Sequence, residues 1–482
     1  MRWRYILNTV GVLTLFFGAT MVLPLAFDLF AMDRSLMPMV KAMGVTLAAG
    51  AILTLIFRHE KTETISQREG MAIVAVGWTA IGLFGALPFY FSGAPFCFVD
   101  AFFESVSGFT TTGSSILTDI EGLSRGLLVW RSFIQWLGGM GIIVLSIAIL
   151  PFLGVGGMQL YKAEVPSPVP DKLKPRIRDT AVVLWKVYAL FTVAEAALLM
   201  AGGMSFFDAL NHAFTTMPTG GFSTKNASVA HFDSVYIDVV ITVFMLLAGI
   251  NFSLHYQLLK GRPLAFWKDS ECRFYLAMCL ILTLVVGFNI YQTAYANAGQ
   301  ALRYAAFQVI SIVTTTGYAT ADYEMWPAMS QTIIFLCMFV GASAGSTGGG
   351  MKCLRIMLCF KYCYKELFAM IHPRAVTHIK IGGKAVPEDV VRSVLGFLAL
   401  YMALFALSTV LLAGIGVDFV TALGAVAATI GNIGPGFGLV GPVENFSQIP
   451  YWGKWLLSWC MLLGRLEIYT LIILVVPEFW RK

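Results

Sequence analysis

Thr110-Thr111-Thr112-Gly113 and Thr314-Thr315-Thr316-Gly317 spell the same four residues, TTTG, 204 positions apart. Each copy closes a short apolar stretch. That stretch is too brief to cross a bilayer, since a spanning helix needs about 20 apolar residues. Longer apolar runs flank it on both sides. Two weaker copies complete a series: Met217-Pro218-Thr219-Gly220-Gly221-Phe222 lies between the first two, and Ile430-Gly431-Asn432-Ile433-Gly434-Pro435-Gly436 follows them. Gly113, Gly221, Gly317 and Gly434 then anchor four units, spaced 108, 96 and 117 residues apart. The upstream context repeats as well. Asp100 and Asp208 each stand thirteen residues before their glycine, and Phe103 and Phe307 each ten. Four units of one design, each with a glycine at the same spot, imply four loops meeting on a pseudo-fourfold axis.

Of the 482 residues, 58% are hydrophobic and only 12% charged. Soluble domains carry about 25% charged residues, so the composition describes an integral membrane protein. Ten apolar runs approach or reach spanning length: Ile6–Leu29, Met37–Phe57, Met71–Phe91, Leu127–Leu153, Ala181–Met200, Val235–Leu259, Phe274–Tyr291, Gln331–Phe360 (interrupted), Val390–Ala413 and Trp455–Val476. They are continuous rather than alternating, which argues for helices and against a barrel. Met1–Tyr5 before the first run resembles a signal peptide, but the run is too long for one and is expected to stay as the first helix. The eight cysteines show no CxxC spacing, so neither a disulfide framework nor a zinc site is indicated.

Lys and Arg set the orientation. With the N-terminus cytoplasmic, 24 of the 33 basic residues fall inside, seven fall outside or near the outer rim (among them Arg34, Lys225 and Lys454), and Lys186 and Arg465 lie within spans. Both termini are then cytoplasmic and every glycine phrase is on the outer side. This topology accounts for the net charge of +6, with no nucleic-acid partner required.

The expected fold is an all-α membrane protein. Residues 1–69 form two N-terminal transmembrane helices without a repeat phrase. Four units follow, 70–180, 181–272, 273–389 and 390–482. Each reads as outer helix, short re-entrant helix, glycine loop and inner helix around a central pore. Asp100 and Asp208 are expected to cap the first two short helices. The proline-rich stretch Val165–Asp179 and the segment Lys361–Asp389 read as cytoplasmic linkers.

A cation leaving water needs replacement oxygens. Non-helical backbone at membrane depth is tolerated where it lines a cavity. An extended Thr-Thr-Gly strand presents carbonyls, and glycine supplies the positive φ that turns its own carbonyl without a Cβ clash. Four such strands make a carbonyl ring of the kind that selects potassium. The short helices point their partly negative C-terminal ends at the same place. One TTTG alone reads better as close helix packing; four at matched offsets favour the ring.

Longer motifs carry a resemblance: Asp100–Gly113 (DAFFESVSGFTTTG), Gln135–Leu145 (QWLGGMGIIVL), Leu153–Glu164 (LGVGGMQLYKAE), Gly220–Thr224 (GGFST), Gly345–Lys352 (GSTGGGMK) and Gly464–Leu471 (GRLEIYTL). Over essentially its full length the chain resembles the Trk/Ktr/HKT superfamily of potassium transporters, most closely its bacterial TrkH/TrkG branch. The resemblance implies four fused potassium-channel-like units behind two extra helices, working as a homodimer in the bacterial inner membrane. It also implies a cytoplasmic regulatory ring, TrkA, which alone would hold nucleotide. The implied filter positions are Thr111, Thr112 and Gly113; Thr219, Gly220 and Gly221; Thr315, Thr316 and Gly317; and Asn432, Ile433 and Gly434. The second strand departs from the branch in its Met217-Pro218-Thr219, where Pro218 lacks a backbone donor.

Gly341–Gly350 (GASAGSTGGG) interrupts the third inner helix. GASAG matches a hydrolase GxSxG, which needs a strand–helix turn and triad partners. GSTGGGMK approaches a phosphate loop but lacks its Gly-Lys-Ser/Thr ending. Gly341, Gly345 and Gly349 at four-residue spacing also fit small-residue helix packing. The favoured reading is an intramembrane loop below the filter; in the family this loop is a gate, here Gly341, Gly345, Ser346, Thr347, Gly348, Gly349 and Gly350, with Arg465 beside it. A charge at mid-helix is functional by default; the alternative for Arg465 is an ion pair with a residue such as Glu195. Glu467, two residues on, lies on another face. Glu104 reads as hydrogen-bonded scaffold, and His212, His255 and His372 lack metal spacing. The sequence thus points to a potassium uptake pore that is not an enzyme, with K+ as cargo and Na+ as a second candidate cargo. The rivals are a proton- or sodium-coupled symporter and an intramembrane hydrolase using Ser343.

Overall fold

The computed structural model describes residues 1–31, 35–58, 66–93, 97–148, 177–375 and 377–480. The described chain is helical apart from short turns and one two-residue hairpin, Lys380–Ile381 with Lys384–Ala385. Six helices are long and apolar enough to cross a membrane, or eight if each of two bent pairs is one span. Phe30, Phe288, Val193 and Val410 on these helices are exposed, as lipid-facing residues should be.

The N-terminal pair comprises α1 (Trp3–Thr20) with α2 (Val22–Ala31), and α3 (Leu36–Ile56). Gly11 and Gly50 let the two backbones touch: a Cβ on either would come within 2.8 Å of backbone nitrogen in the other helix. Close approach of this kind is how apolar helices gain dispersion energy where lipid removes the hydrophobic drive. Buried Asp28 docks the pair on the next unit, accepting the Gly126 N–H at 2.9 Å and the Ser35 hydroxyl at 2.5 Å.

The first unit holds α4 (Gln67–Gly85), α5 (Leu87–Ser92), re-entrant α6 (Phe98–Phe109) and α7 (Arg125–Ala148). The second holds α8 (Ile177–Ala201), re-entrant α9 (Phe206–Thr216), α10 (Val235–Ala248) and α11 (Phe252–Leu259). The third holds α12 (Ser270–Ile290), re-entrant α13 (Ala298–Val313), α14 (Ala328–Val340) and α15 (Cys353–Ile371). The fourth holds α16 (Glu388–Gly414), re-entrant α17 (Phe419–Ile430), α18 (Tyr451–Arg465) and α19 (Tyr469–Ile472). The Leu153–Glu164 motif, most of the Val165–Asp179 linker, Arg34 and the last two basic residues lie outside the described residues.

Two expectations about these elements are corrected. Asp100 and Asp208 are not N-caps; they occupy the third position of the first turn, behind Cys97 and Ser205. An acidic group there still suits the positive end of the helix, and each binds a partner instead: Lys454 reaches Asp100 at 2.6 Å and the Thr224 hydroxyl reaches Asp208 at 2.6 Å. Val235–Leu259 and Trp455–Val476 are not continuous spans; they bend by 102° and 112°. Asn251 makes the first bend by capping α11, its side chain accepting from Ser253 N–H at 2.9 Å. At the second, Glu467 and Ile468 take φ of 59° and 41°, while Glu467 is drawn to Arg355 at 2.5 Å. With the expected break after Val340, the second, third and fourth inner helices are all interrupted.

Candidate ion pathway

Each re-entrant helix ends in the same way. Thr111, Thr219, Thr315 and Asn432 take the left-handed conformation, with φ of 51°, 57°, 62° and 54°. Their N–H groups bond back three residues, to Gly108, Thr216, Ile312 and Thr429 carbonyls. The next N–H groups, of Thr112, Gly220, Thr316 and Ile433, bond back five residues at 2.9, 2.8, 2.8 and 2.8 Å. This is a Schellman helix stop, which usually places glycine at its left-handed position. Here three of the four are β-branched threonines, a conformation that costs on the order of 1–3 kcal/mol each. The expected extended strand is therefore wrong. Left-handed residues recur two positions later at Gly113, Gly221, Gly317 and Gly434, with φ of 85°, 74°, 81° and 109°. Alternating hand turns successive peptide planes so that neighbouring carbonyls can face one side.

The four strands close into a ring. A Cβ on Gly113 would stand 2.2 Å from the Gly220 oxygen, on Gly221 1.9 Å from the Thr316 oxygen, on Gly317 1.9 Å from the Ile433 oxygen, and on Gly434 2.9 Å from the Thr112 oxygen. Each glycine thus abuts the residue before the glycine of the next strand, and the fourth returns to the first. All twelve expected filter residues are in this ring.

Every seam of the ring has its own fastening. Between the first and second strands, buried Arg131 donates to Glu104 at 2.7 Å and to the Ser223 carbonyl at 3.1 Å, and lies 4.0 Å over the Phe222 ring. Glu104, buried as expected, also accepts from Ile116 N–H at 3.1 Å. Gln135 donates to the Gly220 carbonyl at 2.8 Å and accepts from Phe222 N–H at 3.2 Å. Thr215 meets the Tyr318 hydroxyl at the second seam. Tyr323 donates to the Gly436 carbonyl at 2.7 Å at the third. At the fourth, Asn432 Nδ2 donates to Thr112 Oγ1 at 2.9 Å and Ser114 to the Gly434 carbonyl at 2.9 Å. Sequence reading singled out neither Arg131 nor Gln135; a basic residue 27 positions after an acid inside a re-entrant helix is the only hint of the buried pair.

Gly341–Lys352 crosses directly beneath three strands. It is not helical, which removes the helix-packing alternative: Gly341, Gly345, Gly350 and Lys352 have φ of 77°, 75°, 68° and 73°. Gly349 N–H donates to Thr315 Oγ1 at 2.7 Å, and the Thr347 hydroxyl to the Met217 carbonyl at 2.9 Å. A Cβ on Gly349 would meet the Gly431 oxygen at 2.5 Å, and one on Gly348 the Thr314 oxygen at 3.0 Å. Lys352 Nζ folds back on the Gly348 carbonyl. Glu271 holds the loop from α12, accepting from Ala344 N–H at 2.6 Å and Leu354 N–H at 3.2 Å.

Arg465 is buried at the end of α18, not at mid-helix, and donates to the Thr347 carbonyl at 2.7 Å. Neither oxygen of Glu195 has a hydrogen-bond partner among the described residues, so the Arg465–Glu195 pair does not form. Glu467 pairs with Arg355, which also stacks 4.0 Å over Phe397. Among the described residues Ser343 Oγ has no hydrogen-bond partner, and Ser343 follows a helix rather than a strand, so the hydrolase elbow is missing. Among the described residues no group of three His, Cys, Asp or Glu could hold a metal.

The chain matches the family described as TrkH, Cation transport protein, over residues 35–482. The Trk system potassium uptake protein TrkH of Salmonella typhimurium is 45% identical to it, over 100% of both chains. The Trk system potassium uptake protein TrkG of Escherichia coli K12 is 34% identical over 99% of each. The crystal structure of the potassium transporter TrkH from Vibrio parahaemolyticus superposes with a TM-score of 0.92 at 40% identity, over 100% of both chains.

Proposed function

Because this chain belongs to the TrkH family of cation transport proteins, we propose that it is the pore of a potassium uptake system, a transporter and not an enzyme. The observation that carries this reading is the closed ring of four left-handed turns. In it, Thr111, Thr112, Gly113, Thr219, Gly220, Gly221, Thr315, Thr316, Gly317, Asn432, Ile433 and Gly434 supply backbone oxygens to a dehydrated K+ ion. The four re-entrant helices add their negative ends. Potassium is the cargo and sodium a second candidate.

The Gly341–Gly350 loop is the gate. Its bonds to Thr315, Met217 and Arg465 support a closed state, in which Thr347 and Gly348 lie under the ring and Arg465 adds a like charge below it. Opening requires the loop to leave these partners, and its positive-φ glycines make it a segment that can do so. The functional units are 1–69, 70–180, 181–272, 273–389 and 390–482, as the sequence was read.

The protein sits in the bacterial inner membrane with both termini cytoplasmic, as a homodimer. A separate TrkA-like ring binds the basic cytoplasmic face, which includes Lys361, Lys365, Lys380 and Lys384, and holds the regulatory nucleotide. Potassium flux from purified protein in liposomes tests the reading. Flux that follows the potassium gradient without a proton or sodium requirement is expected; obligatory coupling would favour the symporter.

A further inference from the structure

Glu195 lies outside the pathway just described. It sits on α8, six residues before that helix ends at Ala201, and is fully buried. Neither carboxyl oxygen has a hydrogen-bond partner of good geometry among the described residues, although the Thr216 hydroxyl lies beside the group. The hydroxyls around it are committed elsewhere. Thr216, beside the carboxyl, donates to the His212 carbonyl at 2.8 Å. Tyr188 donates to the Trp136 carbonyl at 3.1 Å, and Tyr318 to the His212 carbonyl at 3.2 Å. Thr216 is also the last residue of α9, so the carboxyl faces the partly negative end of a helix.

The charged and titratable groups on the packed elements do not compensate it. Arg465 lies near Tyr188 and is bound to Thr347. His255 of α11 packs on Phe191, one turn earlier on α8, with Nε2 on the Leu247 carbonyl. His212 of α9 has both ring nitrogens engaged, by the Asp208 carbonyl and Ser223 Oγ. Asp238 of α10 pairs with Arg303 at 3.6 Å. From α7, Trp136, whose carbonyl accepts from Tyr188, is uncharged. A bare carboxylate in such surroundings is far costlier than a neutral acid.

We propose that Glu195 is a proton-binding site, occupied in the resting protein, directly behind the second strand of the ring. The link to the strand is short: the Thr215 carbonyl, next to Thr216, accepts the Gly220 N–H at 2.8 Å and the Gly221 N–H at 3.2 Å. Loss of the proton leaves a negative charge behind that strand, which draws cations and tightens apparent potassium affinity. The proton itself does not depend on the ring being the ion path; its effect on transport does.

Two measurements on the full-length protein in lipid separate these. Infrared spectra near neutral pH should contain a carboxylic-acid C=O band that disappears in Glu195→Gln; the same band shifted, not lost, in Glu195→Asp controls for folding. Potassium uptake should show a KM that falls several-fold from mildly acidic to alkaline pH, and Glu195→Gln should keep wild-type uptake at neutral pH with a flat KM profile. Absence of the band overturns the site, whatever happens to transport. A band that is present while Glu195→Gln keeps the wild-type pH profile overturns its action on the ring.

Discussion

Replacing the ring glycines one at a time should produce a graded loss of selectivity whose order is set by the seams. In Gly317→Ser the new Cβ would lie 1.9 Å from the Ile433 oxygen and 2.8 Å from Pro435 Cδ; in Gly434→Ser it would lie 2.9 Å from the Thr112 oxygen, against ordinary contact from 3.4 Å. The first therefore needs about 1.5 Å of relief and the second about 0.5 Å, with Gly221 close to the first and Gly113 just below it. A side chain at positive φ adds roughly 1–2 kcal/mol of its own. The neighbour in the tight seams is a backbone carbonyl that we assign to the ion, so relief swings that oxygen away from the axis. If 1.4–2.8 kcal/mol of the preference for potassium depends on its position, the K+/Na+ permeability ratio falls about ten- to a hundredfold. Gly434→Ser should lose only a small part of that. Permeability ratios in liposomes under opposed K+ and Na+ gradients, on variants with wild-type elution and helix content, provide the measurement. The seam argument is wrong if Gly434→Ser loses as much selectivity as Gly317→Ser, or if Gly317→Ser keeps the wild-type ratio.

Arg465→Ala removes the 2.7 Å bond to the Thr347 carbonyl; a hydrogen bond from a charged donor contributes about 1.5–3 kcal/mol, so potassium flux without the regulatory ring should rise at least tenfold, and unchanged or lower flux in folded protein would leave Arg465 a structural residue. Arg131→Met strands buried Glu104 and should lower unfolding stability by about 3–5 kcal/mol, whereas the Arg131→Met, Glu104→Gln double variant should recover a good part of it; equal thermal melts for the two would count against the pairing. Reversing the charge of Lys361, Lys365, Lys380 and Lys384 should abolish co-purification of a TrkA-like ring while leaving basal flux intact, and undiminished capture would move the docking surface elsewhere.

The ring was readable because the same chemistry is demanded four times, and repetition at matched offsets survives even where single phrases are weak, as at Ile430–Gly436. The break at Gly341–Gly350 was readable because ten consecutive small residues cannot hold a helix. The other two breaks were not. Leu466, Glu467 and Ile468 are all helix-compatible, and the turn there follows from Arg355, more than a hundred residues earlier, taking Glu467. Gly249-Ile250-Asn251 is a common enough helix interior, and its break depends on Phe252 N–H finding the Gly345 carbonyl in the gate loop at 3.1 Å. Arg131 did not stand out because sequence separation hides its partner Glu104. These are tertiary facts, each set by a partner in another unit or far along the chain.

The left-handed threonines are where local preference and structure disagree most, and the disagreement is informative. A β-branched residue at positive φ is a true outlier, yet it occurs at Thr111, Thr219 and Thr315 alike, so it is a property of the ring and not of one strand. In the third and fourth strands the side chain at this position is used: Thr315 Oγ1, which glycine would lack, accepts the Gly349 N–H of the loop below, and Asn432, a residue more at ease in this conformation, ties the ring to Thr112 and to the Met461 carbonyl of α18. In the third strand the strained position is thus also the one that touches the loop beneath. Strain persists only where surroundings over-determine it, and here they do, through the backbone bonds of each helix stop and the carbonyls of the adjoining strand. A ring held this way has little freedom to widen by itself, which leaves the loop below as the part of the pathway able to move.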